Sequence, residues 1–407
     1  MGDFYQNGVI TTLHNIGDRP IDELEAELQK FSKKLPMALI LPSLYSELEG
    51  PALGKIVEEL SKVKYLSEII VGLDRASKEE FIHAKQYFNR LPNVRVLWND
   101  GPRLQAIDEV LKEQGLAPKE LGKGRNVWYC FGYSLASGKS SAVALHDCDI
   151  LTYSRSIPAR LLYSLVHPGS KFKFAKGYYY RTDGQKLNGR VSRLLVTPLI
   201  RSLKKLYPNS EYLDYMDSFR YSLAGEFGMM HDVVRSIRIP SDWGLEIGVL
   251  SEMFRNDSVN RICQVDISDN YDHKHQILSP EDRSKGLSKM SFDISKSMFR
   301  KMATMGEIFS EESFRALKAT YYRLALDFVD QYHADAMING LKLDRHAEEQ
   351  AVELFAQNII EAGNSFLRKP QERPFMAPWN RVISALPDIM EDFYKAVEAD
   401  WNDPELS

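Results

Sequence analysis

The feature that most constrains this chain is an alternation in its N-terminal third. "MALILPSL" is a short apolar run with a proline near its end. "PALGKIVEELSKV" follows, with Pro51 near a helix start and apolar residues at helical spacing, and "SEIIVGLD", "KEEFIHAKQYFNRL" and "NVRVLWND" repeat the pattern. Strands that are apolar along their whole length, separated by amphipathic helices, predict a parallel sheet covered by helices on both faces. Further helices in "GPRLQAIDEVLKEQG" and "GRNVWYCFGYSLA" lead to a fourth strand in "SSAVALHDCD". Ligands in such sheets bind beyond the carboxyl ends of the strands. Each strand here ends in polar residues: Pro42 and Ser43, then Asp74, then Asn99 and Asp100, then Asp147 and Asp149.

The last pair poses a chemical question. On a strand, the two acids of "ALHDCDIL" would share a face and repel. A divalent cation, a basic side chain or a solvated loop would each relieve that, and the octapeptide alone leaves all three open. Two glycine-lysine stretches compete as phosphate cradles. In "GYSLASGKSS" five residues separate Gly132 from Gly138 where a P-loop has four, and the stretch precedes a strand instead of following one, which argues against a P-loop. Gly122-Lys123-Gly124-Arg125 opens a helix, where backbone N–H groups and a flexible lysine can meet a phosphate, although a solvated turn reads the same way. No G-x-G-x-x-G follows the first strand, which disfavours a dinucleotide cofactor.

The rest of the chain divides by character. Residues 1–36 read as an N-terminal helical segment, with its helix in "PIDELEAELQKFSKK", and residues 37–154 as an α/β half. Residues 155–284 mix an aromatic strand, "FKFAKGYYYR", a basic amphipathic helix, "GRVSRLLVTPLIRSLKKLY", and the helix-strand pair "GLEIGVLSEMFR" and "RICQVDIS". From 285 to 407 only helical periods remain, an annex whose last residues, "DWNDPELS", are expected to fray. The chain has 407 residues with 52 Lys+Arg against 56 Asp+Glu, so no global field favours nucleic acid or an anionic membrane. Cys130, Cys148 and Cys263 make no C-x-x-C pair, which fits a reducing cytoplasm better than a disulfide framework. No apolar run is long enough to span a membrane, and the start lacks the order of a signal peptide.

Taken in order, "LPSLYSE", "VGLD", "GKGRNVW", "ALHDCDIL", "FAKGYYYR", "LNGRVSRLLVTPLI", "LAGEF", "WGLEIGVL" and "QVDISDNYDHKH" resemble the successive motifs of glucosyl-3-phosphoglycerate synthases and the related mannosyl enzymes. The resemblance covers about residues 37 to 280. It implies an A-type glycosyltransferase fold, an α/β Rossmann-like nucleotide-sugar-binding sheet, here followed by the helical annex, which borrows nothing from the family. It also implies a retaining, metal-dependent transfer of glucose from UDP-glucose to the 2-hydroxyl of 3-phosphoglycerate.

Residue by residue, the resemblance makes Asp147 a nucleoside contact, Asp149 a ligand of Mg²⁺ or Mn²⁺, and Lys123 a contact of the nucleotide. Pro42, Ser43, Leu44 and Glu47 would hold uracil and ribose, with Asp74 nearby unless that acid serves a helix N-terminus. A metal-binding histidine falls on His273, with His275 as a rival in "DHKHQ". The acceptor carries a carboxylate and a phosphate and needs cations. Arg181 and Arg190 supply them beside Gly189 and the hydroxyl of Ser192. Arg193, Arg201, Lys204 and Lys205 fit a solvated basic face. Glu226 and Glu246 sit among apolar neighbours; Glu246, with Arg190, is the candidate for the reacting centre, in contact with acceptor or donor sugar. Other readings stay open: a mannosyl or GDP-linked donor on the same acceptor, a nucleotidyltransferase, or an inactive scaffold built on the annex. The annex also offers a face for a homodimer.

Overall fold

The computed structural model describes residues 6, 8–17, 19–240, 244–273, 286–371 and 375–406. Eight strands form one sheet: β1 (Thr11–Leu13), β2 (Met37–Leu44), β3 (Leu66–Asp74), β4 (Val94–Trp98), β5 (Ala142–Leu145), β6 (Phe174–Tyr179), β7 (Phe227–Met230) and β8 (Ile262–Ser268). Their order across the sheet is β1-β8-β6-β7-β5-β2-β3-β4. The expected series becomes β2 to β5, and its continuous apolarity has the anticipated cause. Leu39, Ile40 and Leu41 in β2, like Ile69, Ile70 and Val71 in β3, are wholly buried because helices cover both faces.

Two strands depart from the sequence reading. β7 runs antiparallel to both β5 and β6, so the sheet is mixed and not wholly parallel. β1 pairs with β8 at the far edge, within a segment expected to be helical. Both departures bear on the site. β2 has β3 on one side and β5 on the other, so the chain changes direction across the sheet there, and a cleft opens at the carboxyl ends of these strands. Because β7 is reversed, the residues that precede it, Gly225 and Glu226, arrive at the same edge.

The helices after residue 286 share the body's core. Tyr321, on the helix Glu311–Ile338, donates its hydroxyl to the carbonyl of Leu194 at 2.6 Å. Trp379 stacks on Trp128 with ring centroids 4.1 Å apart. Each indole N–H finds a carbonyl, Trp128 to Ala377 at 2.8 Å and Trp379 to Trp128 at 3.0 Å, so two large rings are buried without an orphan donor. The end of the chain is anchored, contrary to the expected fraying. Arg103 holds Asp400 at 2.5 Å and Asp403 at 2.7 Å, and Leu406 is buried. Among the described residues no helix is long and apolar enough to cross a membrane.

Candidate active site

β5 stops at Leu145, so Asp147 and Asp149 lie on the loop beyond it, and strand alternation does not govern them. The acids turn to different partners. Asp147 Oδ1 is 2.6 Å from Lys123 Nζ, and the same ammonium reaches Glu246 Oε1 at 3.1 Å. Burial alone would lower the lysine's pKa, but Asp147 and Glu246 outweigh it and hold the ammonium above its ordinary value. Lys123 is the first residue of the helix Lys123–Ser137, which is why a lysine after a glycine turn reaches the loop. Gly225 lies against the other side of Asp147. A Cβ there would come within 2.8 Å of Asp147 Cγ, so the carboxylate sits where only glycine leaves room.

Asp149 Oδ2 is 3.4 Å from His273 Nδ1. Backbone pairing brings the two together: Ile150 bridges His273 in antiparallel fashion, Leu151 N donates to Asp272 O at 2.8 Å, and Asp272 N donates to Thr152 Oγ1 at 3.0 Å. Burial pushes the Asp149 carboxyl up, but His273 and Lys123 outweigh this and hold it below its ordinary value. Asp149 Oδ1 is buried with no hydrogen-bond partner. Among the described residues no three His, Cys, Asp or Glu side chains gather as a complete metal cage. One carboxylate with an orphaned oxygen and one imidazole do fit a divalent cation that takes its other ligands from a bound diphosphate and water. Arg181 Nη1 lies against His273 Nε2 on the far side of the ring. The rival His275 lies outside the described residues.

A cleft of about 670 Å³ gathers nearly all the expected residues. From the ends of β2 and β3 come Pro42, Ser43, Leu44, Glu47 and Asp74. Lys123, Asp147, Asp149, Glu246 and His273 follow, and from the segments after β6 come Arg181, Gly189 and Arg190. Ser192 does not line it; its hydroxyl is buried without a partner at the start of the π-helical segment Ser192–Val196. Asp74 does not cap a helix, since Ser77 fills that role through a capping box with Glu80. It is buried 3.6 Å from Arg125 Nη1 and accepts from Asn99 at 3.4 Å; burial pushes its carboxyl up and Arg125 opposes that.

On the arginine side of the cleft, Gly189 takes φ of +76°, and helical backbone begins at Arg190. Arg190 Nε is 2.8 Å from Glu348 Oε1. Arg193 is buried, not solvated: its Nη1 is 2.7 Å from Glu348 Oε2, and its Nε donates to Asn188 O at 2.8 Å. Arg201 and Lys204 do lie outside, paired with Asp217 at 3.2 and 3.1 Å, and Lys205 is exposed. Glu348 belongs to the annex helix Arg345–Arg368, and Leu287, Lys289 and Met290 of the helix Gly286–Thr304 line the cleft too. The annex therefore supplies one wall. A signal for Glu348 existed in the sequence: with Ala351, Val352 and Phe355 it occupies the apolar stripe of its helix, where a carboxylate needs a partner. Glu226 lies behind the cleft, wholly buried, accepting from Tyr271 at 2.5 Å, and burial pushes its carboxyl up. Lys176, which sequence reasoning passed over, is buried beside these acids; it donates to Ala224 O at 2.5 Å, and burial pushes it down to about 8.

The sheet, its switch point and the cleft beyond it define an A-type glycosyltransferase fold. Two solved structures share it: the glucosyl-3-phosphoglycerate synthase of Mycobacterium tuberculosis in complex with Mn²⁺, UDP-glucose and phosphoglyceric acid, and the mannosyl-3-phosphoglycerate synthase of Rubrobacter xylanophilus. The first has a TM-score of 0.53 at 23% identity, covering 72% of this chain and 87% of that one. The second has a TM-score of 0.55 at 20% identity, covering 74% and 83%. No protein-family model matches the chain. The glucosyl-3-phosphoglycerate synthase of Persephonella marina is 48% identical over 404 residues, 99% of this chain and 100% of its own. That of Methanococcoides burtonii is 41% identical over 406 residues, 98% of each. The chain belongs to the glucosyl-3-phosphoglycerate synthase family, and since these relatives match over its whole length, the annex is part of that likeness.

Proposed function

We propose that this chain transfers glucose from UDP-glucose to the 2-hydroxyl of 3-phosphoglycerate, with retention of the anomeric configuration, in the cytoplasm. The observation that carries the reading is the division of one cleft into an acid-and-lysine side, suited to a metal-bound diphosphate, and an arginine side, suited to a doubly anionic acceptor. Donor binding falls to Pro42, Ser43, Leu44, Glu47 and Asp74 around the nucleoside, with Asp147 and Lys123. Asp149 and His273 would hold Mg²⁺ or Mn²⁺, which neutralises charge on the leaving diphosphate.

The chain's own work is placement and charge. Lys123 is fixed between Asp147 and Glu246, so its remaining N–H can meet a diphosphate oxygen without swinging in from solvent. Glu246, tied to Lys123 through one oxygen, borders the reacting sugar; no carboxylate here is assigned a covalent intermediate. Arg181 and Arg190 receive the carboxylate and phosphate of the acceptor. The acceptor hydroxyl forms the new bond to the anomeric carbon as the bond to UDP breaks, and the leaving diphosphate takes the hydroxyl proton.

Asp149→Ala tests the metal side, because it removes a carboxylate at the cleft and no core atom. Turnover should fall by about two powers of ten or more while thermal stability holds. Near-normal turnover of that variant in chelator-treated protein resupplied with Mg²⁺ would show that Asp149 holds no metal.

A further inference from the structure

The annex carboxylate Glu348 has no role in the reading above, and its geometry gives it one. Its side chain is 2% exposed, and its two oxygens are divided between two guanidiniums, Arg190 Nε at 2.8 Å and Arg193 Nη1 at 2.7 Å. Arg193 is pinned three ways, by Glu348, by the carbonyl of Asn188 at 2.8 Å, and by its position over the Tyr332 ring, 4.9 Å from the centroid. Arg190 is held by Nε alone. Neither of its Nη groups has a hydrogen-bond partner among the described residues, and the residue borders the cleft. A guanidinium grips an anion best through two parallel N–H groups. A carboxylate that takes only Nε leaves the Nη edge for that purpose and removes the freedom of a long side chain before the ligand arrives.

We infer that Glu348 is a positioning residue for acceptor binding: it clasps Arg190 to the fixed Arg193, so that the Nη edge of Arg190 faces the anionic group of the acceptor. The inference rests on the reading of Arg190 as an acceptor contact. It also makes the helical annex part of the acceptor site, a role its distance in sequence conceals.

Two effects of Glu348 have opposite signs, which makes the inference testable. As one more negative charge it would repel an anionic acceptor; as a clasp it would favour one. If the clasp dominates, Glu348→Gln, which keeps the shape but offers only one acceptor oxygen, weakens acceptor binding. If charge dominates, the same change tightens it.

The experiment measures kcat and KM for UDP-glucose and for 3-phosphoglycerate, with melting curves, in Arg190→Ala, Glu348→Gln, Glu348→Asp and the double variant Arg190→Ala/Glu348→Gln. Arg190→Ala examines the acceptor reading by itself. If it leaves the KM for 3-phosphoglycerate unchanged, that reading falls and the clasp with it. Given a rise there, Glu348→Gln should raise the KM for 3-phosphoglycerate about tenfold. Its kcat and its KM for UDP-glucose should stay within about twofold of wild type. Combined with Arg190→Ala it should add nothing, because the clasp has no remaining object. Additive losses, a tighter acceptor, or equal rises in both KM values would overturn the inference. Should Glu348→Gln fail to fold, Glu348→Asp decides: its shorter reach predicts a raised KM for 3-phosphoglycerate, and a wild-type value refutes the clasp.

Discussion

Gly225→Ala changes one hydrogen into a methyl at a crowded point beside Asp147. A Cβ at this position would lie 2.8 Å from Asp147 Cγ. Carbon atoms in comfortable contact sit about 3.5–4.0 Å apart, so the carboxylate must retreat by roughly 1 Å. Asp147 Oδ1 now holds Lys123 Nζ at 2.6 Å, and a retreat of that size takes the pair out of hydrogen-bond range. A charge-assisted hydrogen bond is worth about 1.5–3 kcal/mol, reduced to about 1–2 here because both side chains are partly open to water. The catalytic cost is larger than the stability cost, because a misplacement of about 1 Å in a positioned group costs about a hundredfold in rate. The backbone is not in the left-handed region at Gly225, so alanine adds no strain of its own. Initial-rate assays at varied UDP-glucose should show kcat/KM down about 10–100-fold, with the melting temperature lowered by only a few degrees. A kcat/KM within about twofold of wild type would refute the claim that Asp147 must stand where it does. So would a loss of activity that merely tracks unfolding.

Trp379→Ala should cost about 3–5 kcal/mol, read as a lower denaturation midpoint, because it removes a buried ring stacked on Trp128; a loss below about 1 kcal/mol would show that the annex packs only loosely on the body. His231 is pushed down to about 4, chiefly by burial, and its Nε2 meets Ser134 and Ser140 at 3.0 and 3.1 Å. Unfolded, it protonates near 6.5, so between about pH 6.5 and 4 the unfolded chain binds the extra proton and this residue's contribution to stability is lost as pH falls. Buried carboxyls such as Glu68 and Glu226, pushed up by burial, slope the opposite way, so the comparison is between proteins: His231→Gln should lose less stability than wild type from pH 6.5 to 5. Parallel pH curves for the two proteins would be the contrary result.

Much of the fold could be read from the sequence because its signals are local. The apolar runs of β2 to β5 and the helices between them carry their periods within a dozen residues. β1 and β7 are three and four residues long, "TTL" and "FGMM", and have no period to detect; only their distant partners make them strands. The expected site residues converge on one cleft because strand ends mark it. Arg190 and Arg193 show the limit of that reading. The same basic stretch contains the buried Arg193, the half-buried Arg190 and the exposed Lys205, and the residue that sets the two arginines apart, Glu348, is 158 positions from Arg190. Gly225 escaped notice for a similar reason: what it must leave room for, Asp147, comes from another strand end.

Glucose transfer to 3-phosphoglycerate is decided by product analysis. The protein would be incubated with UDP-glucose and 3-phosphoglycerate, with Mg²⁺ and again after chelation, and the product examined by NMR for linkage and anomeric configuration. The expected product is glucosyl-3-phosphoglycerate, joined at the 2-hydroxyl with the donor's configuration retained, formed with metal and not after chelation. No product, an inverted anomer, or undiminished turnover in the chelated sample would contradict it.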